Sequence, residues 1–268
     1  MIPVETIDKL ESCYRSTTEF CRTLSEADWA VPTQLPGWNV KDNLSHMASW
    51  EGEMSGRPLT EHRAADLSNA KNKIGEDNEH EVDLRRPWTG AQVLAEWEDV
   101  VAERIRILRS ADDAYFEQVS DGPTGPAPLA EYLQIRVLDL WTHDQDMRRA
   151  LGRPGNQDGP AAEHTIDRLI RTVGIVVGKR AATPEGASVV FRITGAVQRN
   201  LVVTVREGRA QSGTDIPSDA LCDISMDSDV FLQLATGRGD AAELARQCSI
   251  IGDAEHARRI LLNFTMMI

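Results

Sequence analysis

The fold of this chain is decided by two stretches of sequence, Arg136-Val137-Leu138-Asp139-Leu140-Trp141-Thr142-His143 and Trp38-Asn39-Val40-Lys41-Asp42-Asn43-Leu44-Ser45-His46. Both are predicted to be helices. Asp139 and His143 stand four residues apart, so they project from one helix face about one turn apart. His46 from the other helix would complete a set of two imidazoles and one carboxylate. Three such ligands leave a coordination position open, which is typical of a catalytic divalent-metal site.

A row of polar residues follows one face of the later helix. Arg136 lies about one turn before Asp139, and Asp146 lies about one turn after His143. The rest of this helix is largely apolar, so the row must be paired, bind a metal or face a cavity. Arg136 and Asp146 are therefore predicted to orient a ligating carboxylate or imidazole. A surface ion pair remains the alternative, because charged pairs at this spacing are common on solvated helices.

Four helices are predicted before about residue 157, each with an apolar stripe on one face. They cover about residues 3–26, a segment that begins after Asn39, a segment from Thr89 that ends before Asp112, and about residues 129–150. Asn39 is predicted to cap the second helix, and Thr89 with Gln92 forms the pattern of a capping box. Four helices without a strand signal favour a helix bundle, in which sites are built from inward side chains.

Two segments between these helices are predicted to be irregular. Residues 57–88 are polar and charged without a sustained period, which predicts a loop or lid with one short helix. Residues 122–128 contain three prolines and two glycines and therefore predict a break. Gly152 and Pro154 are then expected to end the last helix of the bundle.

After about residue 157 the pattern changes to a mixture of helices and strands. Predicted helices cover about residues 161–181, 227–236 and 253–265, and predicted strands cover residues 188–193, 201–205 and 220–225. The chain is therefore predicted to hold two domains. The first is a mainly α-helical four-helix bundle at 1–157, and the second is a small α+β domain at 158–268.

The composition is that of an ordinary globular protein and argues against several classes of partner. The chain has 268 residues, 41% hydrophobic and 26% charged, with a net charge of −13. This acidic balance disfavours nucleic acid and anionic membranes. No apolar run reaches the ~20 residues that span a bilayer, and the N-terminal residues do not resemble a signal peptide. We therefore expect a cytoplasmic protein without a membrane or nucleic-acid partner, either a monomer or a homodimer.

The cysteines are expected to be structural rather than reactive. The chain contains Cys13, Cys21, Cys222 and Cys248, and none of them belongs to a Cys-x-x-Cys pair. Such isolated cysteines are typical of buried small hydrophobic residues in a reducing compartment. The prediction is therefore no disulfide and no thiolate ligand for the metal.

Several motifs together resemble one known family. They are Leu35-Pro36-Gly37-Trp38, Val40-Lys41-Asp42 leading to His46, Asp139-x-x-x-His143-x-x-Asp146, and Gly152-Arg153-Pro154. This set is similar to the mycothiol-dependent maleylpyruvate isomerase family. The resemblance implies a DinB- or YfiT-like metal-binding four-helix bundle followed by a sterol-carrier-like α+β domain. The C-terminal stretches from Ser225 to Arg238 and from Ile251 to Asp253 look like that second domain, so the resemblance covers nearly the whole chain.

The resemblance also implies a ligand set and a cosubstrate. The family's His, Glu and His ligands fall on His46, Asp139 and His143, so the middle ligand here is one methylene shorter. Zinc is the expected ion, with nickel, iron and manganese left open. The open position would take the thiol of mycothiol, whose thiolate would attack a small electrophilic substrate. The implied reaction is S-transfer or cis–trans isomerisation.

The residues that would contact substrate are less sharply indicated. Trp50 and Trp141 lie near the motifs and are candidates for walls of the pocket, although tryptophans at helical spacing are more often core residues. An acidic substrate would favour an arginine clamp, for which the candidates are Arg192, Arg199, Arg206 and especially Arg238. Two other functions stay open. One is a metal-dependent hydrolase that uses metal-bound water, and the other is a non-catalytic protein that binds a small molecule.

Overall fold

The computed structural model describes residues 1–122 and 125–266. Pro123 and Thr124, which belong to the predicted break, and residues 267–268 lie outside this description. The chain divides into two compact units, Met1–Asn156 and Gln157–Ile268. The predicted domain boundary lies one residue from this division, and independent folding of the two units stays a prediction.

The first unit is mainly α-helical. Its described elements are α1 (Val4–Cys21), α2 (Glu26–Trp29), α3 (Val40–Glu53), α4 (Lys73–Arg85), α5 (Gly90–Ser110), α6 (Asp113–Glu117), β1 (Val119–Gly122), β2 (Gly125–Pro128) and α7 (Leu129–Ala150). Helix α1 packs against α5 and α7, and α3 packs against the same two helices. These four long helices form a four-helix bundle, which confirms the predicted fold class.

The bundle core contains apolar side chains from all four long helices. Leu10, Leu44, Trp97 and Leu133 come from one helix each, and all are fully buried. Burial of such side chains is the main favourable term in folding, at roughly 25 cal/mol for each Å² of apolar surface. The polar side chains that share this interior must therefore find partners, and those partners define the site described below.

The predicted helix caps are present. The Asn39 side chain accepts a hydrogen bond from the Asp42 backbone N–H, and the Asp42 carboxylate accepts one from the Asn39 N–H. Thr89 and Gln92 form the same reciprocal pair at the start of α5. Each box satisfies two backbone groups that a helix start leaves without partners. Helix α3, which carries His46, therefore begins at the position that the sequence predicts.

Two segments of the first unit differ from the prediction. Segment 57–88 contains α4, a helix of 13 residues whose amphipathic pattern is weak. Arg85 forms an ion pair within the helix to Glu81 at 2.9 Å, and its ion pair to Glu96 at 2.6 Å links α4 to α5. The prediction of no strand in this unit is wrong, because β1 pairs in antiparallel fashion with β2, which lies within the predicted break. Their sequences are short and contain glycine and proline, which β-propensity disfavours.

The second unit is an α+β structure, as predicted. Its described elements are α8 (Pro160–Ile170), α9 (Val173–Ile175), a π-helical turn (Val176–Arg180), β3 (Ser188–Thr194), β4 (Arg199–Arg206), β5 (Arg209–Gly213), β6 (Cys222–Asp227), α10 (Ser228–Thr236), α11 (Ala241–Ala245), β7 (Ser249–Gly252) and α12 (Ala254–Leu262). The sheet order is β5-β4-β3-β6-β7, and only the β3–β6 pairing is parallel. Phe191, Phe231 and Phe264 meet edge to face in its core.

Three features of this unit were not predicted from sequence. One helix was expected at 161–181. In the structure α8 ends at Ile170, and the short helix α9 and the π-helical turn follow it as separate elements. The edge strands β5 and β7 and the short helix α11 have no counterpart in the prediction. Both edge strands are largely exposed, so they lack the apolar alternation by which a half-buried strand is recognised.

Within the described part of the chain, every helix is too short or too polar to be a candidate for crossing a membrane.

Candidate metal centre

Three side chains converge inside the first unit. One ligand atom each from His46, Asp139 and His143 lies within 4.8 Å of the others. The His46 Nε2 atom is 3.4 Å from Asp139 Oδ2, and the His143 Nε2 atom is 3.6 Å from Asp139 Oδ1. The two imidazole rings meet at a tilt, with their centroids 4.7 Å apart. The structure thus brings together the residues that the sequence predicts to be ligands, while their binding of a metal stays a prediction.

The antiparallel register of α3 and α7 produces this convergence. Contacts between the two helices join Asn43 to His143, His46 to Asp139, and Glu51 to Arg136. As the residue number rises along α3, it falls along α7. Side chains spaced three to five residues apart on each helix therefore meet at successive levels of the interface.

Asp139 belongs to a buried chain of charged groups. The Arg136 guanidinium donates to Asp139 Oδ2 at 2.7 Å and to Glu51 Oε1 at 2.9 and 3.0 Å. Glu51 also accepts a hydrogen bond from the Tyr14 hydroxyl at 2.6 Å. Burial alone would raise the pKa of Asp139, but Arg136 and His143 outweigh it and hold that pKa well below its usual range. Asp139 is therefore a carboxylate at neutral pH, as a metal ligand must be.

His143 is held by hydrogen bonds to its second ring nitrogen. The Nδ1 atom lies 2.8 Å from Asn43 Oδ1 and 3.4 Å from Asp146 Oδ2. The Asn43 amide nitrogen donates to the Asn39 carbonyl, so its oxygen faces the imidazole and can only accept. His143 Nδ1 must then carry the proton, which leaves the lone pair on Nε2, the nitrogen that faces Asp139.

The two histidines differ in their affinity for a proton. Burial lowers the pKa of His46 to about 4, so its ring is neutral at pH 7. Burial alone would also lower the pKa of His143, but the carboxylates of Asp139 and Asp146 outweigh it and raise that pKa. His46 Nδ1 is buried without a hydrogen-bond partner among the described residues. One neutral imidazole, one hydrogen-bonded imidazole and one carboxylate form a donor set that suits a divalent ion such as zinc.

Exposure to solvent differs among the three side chains. The side chains of His46 and His143 are 5% and 7% exposed, whereas that of Asp139 is 19% exposed. Among the three candidate ligands, Asp139 therefore has the greatest contact with solvent. An exogenous donor could approach there, which is the arrangement that a catalytic centre requires.

The remaining predicted residues lie in different surroundings. Trp50 is one turn after His46, and its indole N–H donates to Asn78 Oδ1 at 2.6 Å. Trp141 is two residues after Asp139, so its side chain projects from a different face of α7 than the Asp139 side chain. Its indole N–H donates to the Asn156 carbonyl. Contact of either tryptophan with a substrate stays a prediction.

The predicted arginine clamp belongs to the second unit. Arg238 is buried and donates to the Thr236 carbonyl at 2.8 Å. Arg192 is paired with Asp223 and Arg199 with Asp167, at 2.8 Å in both cases. Recognition of an acidic substrate by any of these arginines stays a prediction.

Sequence reasoning missed three residues of the centre. The Trp38 ring lies 5.2 Å from the His46 ring and 6.1 Å from the His143 ring, and its N–H donates to Glu79. Trp38 belongs to one of the family motifs, but no contact with the two histidines was predicted for it. Asn43 and Glu51 were not considered as partners of the site. A signal was present for Asn43, which lies three residues before His46 and hence on the same helix face.

Comparison with known proteins identifies the family. The family model described as "Mycothiol maleylpyruvate isomerase N-terminal domain" matches residues 10–148, more than half of the chain. The chain belongs to this family. A second model, described as "SCP-2 sterol transfer family", matches residues 176–260 of this mycothiol maleylpyruvate isomerase family member. Both matches confirm the resemblance stated from the sequence motifs.

Solved structures of the mycothiol maleylpyruvate isomerase family share the fold. The mycothiol-dependent maleylpyruvate isomerase and a mutant of it match with TM-scores of 0.56 and 0.58. In each case 93% of both chains is covered at 14% sequence identity. At this identity the likeness establishes the common fold. No curated protein matches the sequence.

Proposed function

We propose that this protein is a metal-dependent enzyme that uses mycothiol to attack a small electrophilic substrate, by S-transfer or by cis–trans isomerisation. The observation that carries the proposal is the convergence of His46, Asp139 and His143 within 4.8 Å, with Asp139 the most exposed of the three side chains. Membership of the mycothiol maleylpyruvate isomerase family supports the choice of thiol. The choice between the two reactions depends on the substrate that the pocket admits.

The chemistry of the ion would be the activation of the thiol. A bound divalent ion, with zinc expected, lowers the pKa of a coordinated thiol so that a thiolate is available at neutral pH. His46, Asp139 and His143 would hold the ion. With two imidazoles and one carboxylate the donor set carries only one negative charge. Positive charge is therefore left to attract an anionic sulfur.

The surrounding residues would keep the donor set ready to bind. Arg136 holds the Asp139 carboxylate ionised and fixes its orientation, and Glu51 holds Arg136 in turn. Asn43 selects the tautomer of His143 that presents Nε2 to the centre. Such preorganised partners commonly contribute 10–100-fold in metal affinity or activity.

The test is a reconstitution with metal and thiol varied independently. Protein stripped by a chelator should show no turnover of an electrophile, and zinc and mycothiol together should restore it. Zinc without thiol should give none. Turnover with zinc and water alone would instead show a metal-dependent hydrolase. A content below about 0.1 ion per chain after chelator-free purification would favour a non-catalytic binding protein.

A further inference from the structure

Beyond the metal centre, a carboxylate oxygen on α3 is buried without a hydrogen-bond partner among the described residues. It is the Oε2 atom of Glu53. Tyr132, on α7, is also buried, and the nearby Glu53 is one of the groups that raise the pKa of its hydroxyl. An unpartnered buried polar atom costs about 1–3 kcal/mol, so native proteins rarely retain one without a reason.

Both residues lie on the helix faces that form the metal centre. Glu53 is seven residues after His46, which is two turns further along the same face of α3. Tyr132 is seven residues before Asp139 on α7. Because α3 and α7 are antiparallel, with His46 opposite Asp139, these equal offsets place Glu53 and Tyr132 at one level. Seven residues of helix correspond to about 10 Å, which is the spacing between this level and the centre.

Open space lies next to Glu53. A cavity of about 430 Å³ is lined by Glu53 on α3, by Leu129 on α7 and by Tyr115 on α6. Leu129 is three residues before Tyr132, so the cavity reaches α7 about one turn beyond the pair. A ligand that starts at the metal centre and passes Glu53 and Tyr132 would have room for its far end there.

The charges around Glu53 restrict what can bind. Burial and the nearby Glu81 carboxylate raise the pKa of Glu53. The Arg136 guanidinium opposes this effect, and Asp77 adds further negative charge in the same neighbourhood. The carboxylates outnumber the guanidinium around Glu53, which disfavours an anionic group at this position. A neutral group with hydroxyl or amide N–H donors would be accepted, because it could donate to Glu53 and exchange a hydrogen bond with the Tyr132 hydroxyl.

We propose that Glu53 and Tyr132 form a binding subsite for the neutral, hydroxyl-rich end of the thiol cosubstrate, about two helical turns from the metal centre. The identity of this ligand rests on the proposed function, whereas the preference for a neutral hydrogen-bond donor rests on the two side chains and their surroundings. The subsite would favour mycothiol over short thiols that lack sugar hydroxyls.

The test uses a probe that carries the hydroxyls without the sulfur. This probe is the N-acetylated glucosaminyl-inositol part of mycothiol, titrated by calorimetry or NMR into the full zinc-loaded chain. We expect Glu53→Met to weaken binding about tenfold and Tyr132→Phe to weaken it several-fold. Glu53→Gln, which keeps an acceptor oxygen, should stay within about threefold of the wild type.

Two controls separate this effect from loss of charge or loss of fold. Asp77→Asn removes a neighbouring charge and leaves both subsite groups in place, so it should bind the probe like the wild type. Zinc content and thermal stability of Glu53→Met should not fall, because an unpartnered carboxyl is being replaced by an apolar group of similar size.

The outcomes distinguish this proposal from the proposed function. If the probe does not bind the wild type, or binds Glu53→Met equally well, the subsite is overturned even if turnover requires mycothiol. If probe binding depends on Glu53 but the protein shows no thiol-dependent turnover, the subsite stands and the proposed function fails.

Discussion

Asp139 connects the candidate metal centre to the rest of the bundle. It faces both imidazoles and accepts a hydrogen bond from Arg136, which Glu51 binds on its other side. These side chains are nearly all buried, so each charge depends on the next for compensation. The sequence showed Arg136 and Asp139 on one helix face. It could not show Glu51, because the partner is 85 residues away on α3.

The hydrogen bond between Asn43 and His143 leads to a prediction about metal affinity. Asn43→Leu removes the acceptor that fixes the protonated nitrogen of His143, so zinc affinity should fall roughly 10–100-fold. Competition with a chromophoric chelator measures this affinity. The matched control is Asn78→Leu, which removes the acceptor of the Trp50 N–H and should leave zinc affinity unchanged. Equal losses in the two variants would contradict the proposed role of Asn43.

The two histidines are predicted to titrate apart in the metal-free protein. His46 should lose its proton near pH 4, and His143 should keep its proton above pH 6.5. Imidazole NMR signals, assigned with His46→Gln and His143→Gln variants, measure both pKa values. Titration of both rings near pH 6.5 would show that burial and the neighbouring carboxylates do not act as described.

The opposite pKa shifts of His46 and His143 make the free energy of unfolding depend on pH in opposite directions. His46 has a folded-state pKa below its unfolded value, so its contribution is present above pH 6.5 and is lost as the pH falls towards 4. The loss amounts to about 3 kcal/mol for a shift of this size. His143 has a raised pKa, so its contribution is present below pH 6.5 and is lost as the pH rises through the folded-state value. Denaturant unfolding of the two glutamine variants against pH separates the contributions.

At the scale of elements, boundary residues decided which segments could be predicted. Helix α7 spans Leu129–Ala150, as expected, because proline precedes it and Gly152 follows it. Helix α4 was only partly predicted, since its amphipathic pattern is weak and an ion pair from Arg85 to Glu96 links it to α5. Hairpin β1–β2 was missed because glycine and proline in short strands read as a break. Residues that begin or end a helix were recognisable in the sequence, whereas the contacts that hold one element to another were not.

The start of α5 gives a prediction about packing. A Cβ atom at Gly90 would lie 2.0 Å from the Trp29 ring of α2, so Gly90→Ala must displace that buried ring. We expect a loss of about 1–3 kcal/mol in the free energy of unfolding. The control is Gly75→Ala in α4, where the nearest atom would be 3.4 Å away. That variant should gain up to about 1 kcal/mol. Urea denaturation compares the two, and equal effects would contradict the packing argument.

At the scale of the molecule, the three candidate metal ligands all belong to the first unit. We predict that a chain of residues 1–156 folds by itself, because its four long helices bury a core of their own. It should unfold cooperatively and bind zinc with the stoichiometry of the full chain, as judged by circular dichroism and metal analysis. An aggregated or unfolded fragment would show that the bundle requires the second unit.

The fold class was predictable in both halves of the chain for different reasons. In the bundle, helical periodicity and caps at Asn39 and Thr89 located the long helices. In the second unit, runs of β-branched residues located β3 and β4 in the middle of the sheet. The register of α3 against α7 carried no sequence signal. For that reason His46, Asp139 and His143 were predicted from residue type, while Trp38, Glu53 and Tyr132 were not.

The unequal exposure of the three converging side chains sets an order of events for any ion that binds there. A cation arriving from bulk water would meet Asp139 first, and the carboxylate would replace part of its hydration shell. The two imidazoles would bind only afterwards. On departure the order would be reversed, with the imidazoles releasing first and Asp139 last. A chelator in solution would reach a bound ion most readily from the Asp139 side. The residence time of the ion would then depend on how easily water re-enters from that side.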